Sequence, residues 1–159
     1  MGEGALPKRS AGLLLYKREG GALQLLLVHP GGPFWAKKDA GAWSIPKGEY
    51  DADEDALTAA KREFTEELGM TLQGECRALG EARQRGGKIV TAFALEGDLD
   101  VSTIKPGLFE MEWPPKSGRM QSFPEIDRAA WFSPEEARVK ILEGQRGFID
   151  RLLELAAKA

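Results

Sequence analysis

The amino-acid sequence predicts an α/β fold in which a mixed β-sheet lies between layers of helix. Three observations carry that expectation. Strand-like apolar runs come in pairs around Gly-Gly turns. A central stretch and the C-terminal stretch place apolar residues at helical spacing. The order strands, helix, strands, helix is that of a sheet with helices on its faces. With 159 residues, a single domain over 1–159 is expected, long enough to bury a core.

Each element has its own local reason. "SAGLLLYKREGGALQLLLVHP" holds two apolar runs split by Gly20-Gly21 and reads as a β-hairpin. Its near-continuous leucine suggests strands covered on both faces. "GGPFWAKKDAGA" (31–42) is a loop, and "WSIP" (43–46) a short strand ending at Pro46. Asp51 and Glu54 have the spacing of a capping box, with Asp in the Ser/Thr role. Gly69 is a helix stop, with Met70 as the apolar contact beyond it. Between them Leu57, Ala60, Phe64 and Leu68 form a buried stripe. "CRALGEARQRGGKIVTAFALEG" predicts a second hairpin about Gly86-Gly87, and residues 98–124 read as irregular. "RAAWF" is a short strand. "SPEEARVKIL" is a helix with Ser133 as N-cap and Pro134 at its first position. "GQRGFIDRLLELAAKA" is an amphipathic helix.

Composition narrows the function. Apolar content of 42% and charged content of 30% are those of an ordinary globular protein. The single cysteine, Cys76, excludes an internal disulfide framework and a cysteine-based zinc site, and reads as packing. "MGEGALPKRS" lacks a basic segment followed by an apolar core, and Leu6 breaks the myristoylation pattern. No apolar run approaches the ~18 residues of a membrane span. These features predict a cytoplasmic location and no membrane partner. A net charge of −3 gives no case for nucleic-acid binding. Oligomeric state is not legible.

The charge is unevenly placed. Residues 48–70 hold eight acids (Glu49, Asp51, Asp53, Glu54, Asp55, Glu63, Glu66 and Glu67) against Lys61 and Arg62. That segment is net −6, so the rest of the chain is net +3. On a wheel of about 100° per residue, Glu66 falls about 60° to one side of Glu63 and Glu67 about 40° to the other. The three carboxylates share a face about a quarter turn from the Phe64 stripe. Like charges there destabilise a helix unless a cation sits among them. Three carboxylates suit the hard cations Mg²⁺ or Mn²⁺. The plainer alternative is a solvated acidic face.

The spacing favours the metal. Gly48, Glu54, Arg62, Glu63, Phe64, Glu66, Glu67, Gly69 and Met70 fit G-x5-E-x7-R-E-U-x-E-E-x-G-U, with U apolar. Composition alone would produce this on the order of once in a million chains or more rarely. The stretch resembles the signature of the Nudix (MutT-like) hydrolases, and the flanking order of elements is similar to that family's α/β/α sandwich. The resemblance implies a magnesium-dependent pyrophosphohydrolase acting on a nucleoside diphosphate linked to another group. It implies Glu63, Glu66 and Glu67 as metal ligands, with the Gly48 carbonyl as a further one. Glu54 and Arg62 would orient the acidic face. Bound metal would neutralise a pyrophosphate and lower the pKa of an attacking water. Glu63, Glu66 and Glu125, the last just ahead of a short strand, are candidates for the general base. Glu125 as an ordinary loop acid stands beside that reading.

The flank "WSIPKGE" (43–49) is similar to that of Nudix enzymes cleaving dinucleoside or diphosphoinositol polyphosphates. The surrounding layout resembles a bacterial subgroup described as NTP pyrophosphohydrolases. Lys47 would be a point charge for an extra phosphate, or else a surface lysine in a turn. The best expectation is a dinucleoside polyphosphate such as diadenosine tetraphosphate. The alternatives are a house-cleaning (d)NTP pyrophosphohydrolase or a non-catalytic nucleotide sensor. The proline of ADP-ribose pyrophosphatases past the box, the NADH pyrophosphatase mark and the downstream tyrosine of some dinucleoside polyphosphate hydrolases are all missing. Phe34 and Trp35 are candidates for stacking on a base, and Lys37 and Lys38 for phosphate. The aromatic pair packing down its own loop is the equal alternative. Trp113, with Lys116 and Arg119, lies on a second segment able to close over the site. His29, after a buried strand, reads as structural.

Overall fold

The computed structural model describes residues 8–158. The first strands, β1 (Arg9–Glu19) and β2 (Ala22–Pro30), form the expected hairpin. Gly20 and Gly21 turn it with φ of 60° and 82°, which a two-residue hairpin loop of this kind requires. Then follow β3 (Lys47–Glu49), α1 (Ala56–Leu68), and the hairpin β4 (Cys76–Arg83) and β5 (Ile89–Glu96). The strands β6 (Leu108–Glu112), β7 (Met120–Pro124) and β8 (Ile126–Phe132) precede α2 (Pro134–Lys140) and α3 (Arg146–Ala157).

The main sheet has the order β4-β5-β1-β2-β8, with β3 also on β1. It is mixed: β1 is parallel to β5, and the other pairs are antiparallel. Strand alternation divides the leucine runs between two cores. Leu13, Leu15, Leu26 and Val28 pack with Ala59, Ala60, Phe64 and Leu68 of α1. Leu14, Tyr16, Leu25 and Leu27 pack with Ala137 of α2 and with Phe148, Ile149 and Leu152 of α3. The near-continuous leucine thus reflects two covered faces, as expected.

The sheet also contains a wedge that makes the site. The registered β1–β2 pairing runs from Tyr16↔Leu25 to Glu19↔Ala22, next to the turn. Farther from the turn the segment 43–49 enters between the two strands. Val28 and Ser44 exchange main-chain hydrogen bonds at 2.8 and 3.0 Å. Ser10, Ala11 and Gly12 pair with Glu49, Gly48 and Lys47. A Cβ on Gly12 would stand 2.4 Å from the Pro46 carbonyl oxygen, so only glycine lets the wedge in.

Three local expectations are corrected. The strand expected at 43–46 is instead Lys47–Glu49. Ser44 bridges to Val28 while Trp43 bridges to Ile141, so no continuous ladder forms before Pro46. The N-cap of α1 is Asp55, not Asp51: its carboxylate accepts from the Thr58 N–H (3.0 Å) and hydroxyl (2.7 Å). Glu54 does not close a capping box because its carboxylate engages Arg62. Finally, 98–124 is not wholly irregular. β6 and β7 pair from Leu108↔Pro124 to Glu112↔Met120. Their side chains are exposed or half-exposed, so the hairpin lacks the buried alternating stripe that reveals a strand in sequence.

The other helix boundaries follow their local chemistry. Gly69 ends α1 with φ of 75°, its N–H donating to Thr65 O. Ser133 and Glu136 close a reciprocal capping box on α2. Among the described residues, no helix is long and apolar enough to cross a membrane.

Candidate active site

Wedge and helix meet at Gly48. β3 carries Lys47 and Gly48 under α1, whose inner stripe is anchored by Phe64 and Leu68. That anchoring turns the adjoining face, with Glu63 and Glu67, onto β3. A Cβ on Gly48 would lie 1.8 Å from a Glu63 carboxylate oxygen and 2.1 Å from its Cδ. The Glu63 carboxylate therefore occupies the space a side chain at 48 would need. One turn on, Glu67 Oε1 accepts the Lys47 main-chain N–H at 3.2 Å.

Arg62 organises the outer half of the acidic face. Its guanidinium donates to Glu54 through Nε (3.0 Å) and Nη2 (2.9 Å), the fork geometry of a bidentate pair. Its Nη1 donates to Glu63 Oε2 at 2.5 Å and to both Glu66 oxygens at 3.3 Å. One cation thus partly offsets three carboxylates. Those partners hold Arg62 protonated well above the usual guanidinium range, with Glu54 the largest contributor and burial opposing.

Burial dominates the inner half. It pushes the Glu67 carboxyl up to about 8, against the Lys47 N–H and ammonium, with Glu63 and Glu125 adding to the rise. Burial also raises Glu63, opposed by Arg62 and reinforced by Glu66. Lys47 is lowered, first by burial, despite the attraction of Glu67. Desolvation thus opposes the charge on both Lys47 and Glu67, against their mutual attraction.

Glu125 is brought to the same face from the far end of the chain. Its N–H donates to Gly107 O (2.8 Å) and its carbonyl accepts from the Gly31 N–H (3.0 Å). Its carboxyl carbon and the Glu66 main-chain oxygen stand 3.8 and 3.7 Å from the position of a Cβ on Gly107. Four carboxylates therefore gather around Gly48 and α1. Among the described residues no three metal-type ligands already converge on one point. Glu63 and Glu66 are drawn onto Arg62, and Glu67 onto Lys47. The donor set is nonetheless all oxygen, and rotation about side-chain bonds separates these contacts from a coordinating array. Glu67 is half-buried and accepts the Lys47 N–H. These features fit a hard divalent cation.

The remaining sequence candidates divide. A cleft of about 160 Å³ is lined by Lys47 and Glu67 together with Trp35, Ile45, Ile126 and Leu142. Trp35 is thus brought to the acids. Phe34 meets Trp35 edge-on at 5.4 Å between centroids but is 62% exposed. The Lys38 ammonium lies 4.2 Å from the Phe34 ring centre and 4.9 Å from that of Trp35, so it packs on the aromatic pair. Lys37 is exposed, on none of the contacts described. Trp113 sits at the turn of the β6–β7 hairpin, its N–H on Arg119 O and its carbonyl on Gln121, away from this cleft. His29 is fully buried, with Nδ1 on Asp127 (2.9 Å) and Nε2 on the Lys38 carbonyl (2.6 Å), so it ties the loop down.

Sequence reasoning missed Gln145. It is fully buried. Its Oε1 accepts from the Ile45 N–H (3.1 Å), and its Nε2 donates to Ser44 Oγ (3.0 Å) and Gln84 Oε1 (2.8 Å). It fixes the wedge two residues before Lys47. Its position just before an amphipathic helix gave no sign of this, because the partners lie far away in the chain.

Comparison with known proteins agrees with this architecture. The NUDIX domain model matches residues 6–152. An Ap4A hydrolase of C. elegans, solved as a binary complex, is similar in structure with a TM-score of 0.64 and 21% identity, over 96% of this chain and 99% of that one. The NUDIX domain of Shewanella oneidensis NrtR, solved with ADP ribose, gives 0.63 and 13%, over 96% and 90%. A MutT protein from Methanosarcina mazei gives 0.59 and 21%, over 94% and 96%. Among curated proteins, none matches the sequence. At these identities the solved structures speak for the fold, whereas the family model spans nearly the whole chain: it belongs to the Nudix family of hydrolases.

Proposed function

We propose that this enzyme is a magnesium-dependent pyrophosphohydrolase whose substrate is a dinucleoside polyphosphate such as diadenosine tetraphosphate. The observation that carries the reading is the pairing of Glu67 and Lys47 at one end of a cleft that also presents Trp35. A carboxylate for a metal, a lysine for a phosphate and an aromatic face for a base thus line one cleft. A protein of the same fold over nearly the full length of both chains is an Ap4A hydrolase, which makes this substrate the first to test.

Glu63, Glu66 and Glu67, with the Gly48 carbonyl, would hold Mg²⁺ or Mn²⁺. The bound ion supplies neutralisation of the pyrophosphate and a water of lowered pKa. The chain's own residues do the rest. Glu54 fixes the Arg62 fork, and Arg62 holds the Glu63 and Glu66 carboxylates beside one another. Lys47 would supply a positive charge for a substrate phosphate. Trp35 stacks on a base, a contact worth about 1–3 kcal/mol, and Lys38 holds the ring in place. Glu125 accepts the proton of the attacking water, because it is exposed at the rim where water enters. The family generally uses divalent metal ions, in keeping with this donor set.

A product-resolved hydrolysis screen with Mg²⁺, and with chelator as control, tests the reading. The panel holds diadenosine tetraphosphate, ordinary and oxidised dNTPs, ADP-ribose, NADH and a diphosphoinositol phosphate. The expected result is chelator-sensitive release of ATP and AMP from diadenosine tetraphosphate. Preferred release of pyrophosphate from a triphosphate would move the protein to the house-cleaning class. Metal-dependent nucleotide binding without turnover would make it a sensor.

A further inference from the structure

His29 is the chain's only histidine. It is fully buried, and both of its ring nitrogens meet oxygen acceptors: Nδ1 the Asp127 carboxylate at 2.9 Å, and Nε2 the Lys38 carbonyl at 2.6 Å. A carbonyl has no proton to donate, and neither has an ionised carboxylate. A neutral imidazole carries one N–H and satisfies only one of the two. The hydrogen-bond count therefore leaves one further proton to be placed between His29 and Asp127. Their surroundings put it on the ring. The Asp127 side chain is 35% exposed, and Arg128 Nε lies 3.7 Å from the same carboxylate oxygen that His29 meets. Water and a guanidinium both favour the ionised carboxylate.

What this proton holds is the loop 31–42. His29 grips the Lys38 carbonyl, and the Lys38 N–H donates to Trp35 O at 2.9 Å. Two hydrogen bonds in series thus join the buried ring to the backbone of Trp35, a wall of the cleft that holds Lys47 and Glu67. Among the described residues, no other hydrogen bond reaches residues 33–38 from outside that segment. The remaining charged groups around the ring are engaged elsewhere. Asp39 pairs with Lys140 and accepts the Trp43 indole N–H at 2.8 Å. The Arg128 guanidinium lies 5.1 Å from the centre of the Trp43 ring, which meets His29 edge-on at 5.2 Å. The Lys38 ammonium packs on Phe34 and Trp35. Glu67 is set apart from His29, because Val28, which lines its cleft, points to the opposite face of β2.

We propose that His29 is a positioning residue that works with both ring nitrogens protonated, a proton-dependent latch setting the Trp35 loop against the active site. When the ring loses its second proton, one of the two oxygen acceptors faces a bare nitrogen lone pair, and that contact turns repulsive. The docked loop binds the proton and the released loop does not need it, so docking is firm at low pH and is lost as pH rises. Only the last step, that Trp35 receives a base of the substrate, rests on the hydrolase reading above. Asp127→Asn isolates the proton. Its amide N–H can donate to Nδ1, while Nε2–H still donates to Lys38 O, so a neutral imidazole keeps both bonds. That variant is expected to hold the loop at every pH.

Three measurements on the full chain test the latch. The single histidine gives one set of imidazole nitrogen signals in NMR. At about pH 7, where an ordinary imidazole of pKa about 6.5 is mostly neutral, the parent is expected to show protons on both nitrogens and Asp127→Asn on one. A bare ring nitrogen in the parent overturns the latch, and this result stands even if the variant fails to fold. Amide exchange of residues 31–42 is then followed from about pH 6 to about pH 9, and dividing parent by variant at each pH removes the intrinsic pH dependence. The parent is expected to lose about tenfold in relative protection, the equivalent of one hydrogen bond; a constant ratio overturns the latch. Finally, KM and kcat for diadenosine tetraphosphate with Mg²⁺ are compared over the same range. KM of the parent is expected to rise about tenfold relative to the variant while the kcat ratio holds, and a flat KM ratio overturns the positioning role. No turnover by either protein, with the NMR and exchange results as expected, refutes the hydrolase reading and upholds the latch.

Discussion

Gly48→Ala separates site geometry from fold stability. A Cβ there stands 1.8 Å from a Glu63 carboxylate oxygen. Ordinary contact begins at 3.4 Å, so that oxygen must retreat by about 1.6 Å. The obstructing atoms are the end of a flexible side chain, and Gly48 lies outside the left-handed φ region. The cost to folding is therefore small: about 0.5–1.5 kcal/mol for a displaced rotamer. The cost to chemistry is large. Misplacing a reacting geometry by about 1 Å costs roughly a hundredfold. The expected fall in kcat/KM is thus at least about a hundredfold, near 2.7 kcal/mol of transition-state stabilisation. Gly12→Ala is the complement. Its Cβ meets the Pro46 carbonyl at 2.4 Å, which is backbone, so it must move the wedge and unfold more readily. Thermal melts and steady-state kinetics on both variants decide. A Gly48→Ala enzyme within about twofold of the parent kcat/KM would refute the placement of Glu63 against β3 as a working feature.

Three further outcomes follow from the same geometry. Burial raises Glu67 to about 8, above its ordinary 4.5, so the folded state favours its protonated form. In chelator, stability at this group is full below about 4.5 and is lost as pH rises toward about 8. Urea midpoints at pH 5.5 and 8.5 should show that loss, Glu67→Gln should remove it, and Mg²⁺ should restore stability at the higher pH. Gln145→Leu leaves the Ile45 N–H and the Gln84 amide without their buried partner. It should lower unfolding free energy by about 1–3 kcal/mol in urea titrations; an unchanged midpoint would show that water replaces the amide. Glu125→Gln at saturating Mg²⁺ should lower kcat by about 10²–10⁴-fold if Glu125 is the general base, and near-normal turnover would remove it from that role.

The acidic face was legible because it is local. Helical periodicity fixes the angles between Glu63, Glu66 and Glu67, and the Phe64 stripe fixes which side they face. Gly69 and Ser133 likewise marked helix ends by chemistry contained within a few residues. Asp55 replaced Asp51 as the cap because Glu54 is engaged by Arg62, a contact spanning eight residues that the i, i+3 pattern does not contain.

Everything that crosses the sheet was decided only by the tertiary structure. Spacing in the chain does not say that segment 43–49 would wedge between β1 and β2. Nor does it say that Gly48 would lie under Glu63, or that Glu125 would reach α1 and Gln145 the wedge from much later in the chain. Those positions depend on long-range pairing and on shape, such as the missing Cβ at Gly12 and Gly48. The sequence by itself determined the chemistry of the carboxylates, because that depends on residue type and local period. Packing decided their protonation, partners and reach, because desolvation and close contact exist only once distant segments are brought together.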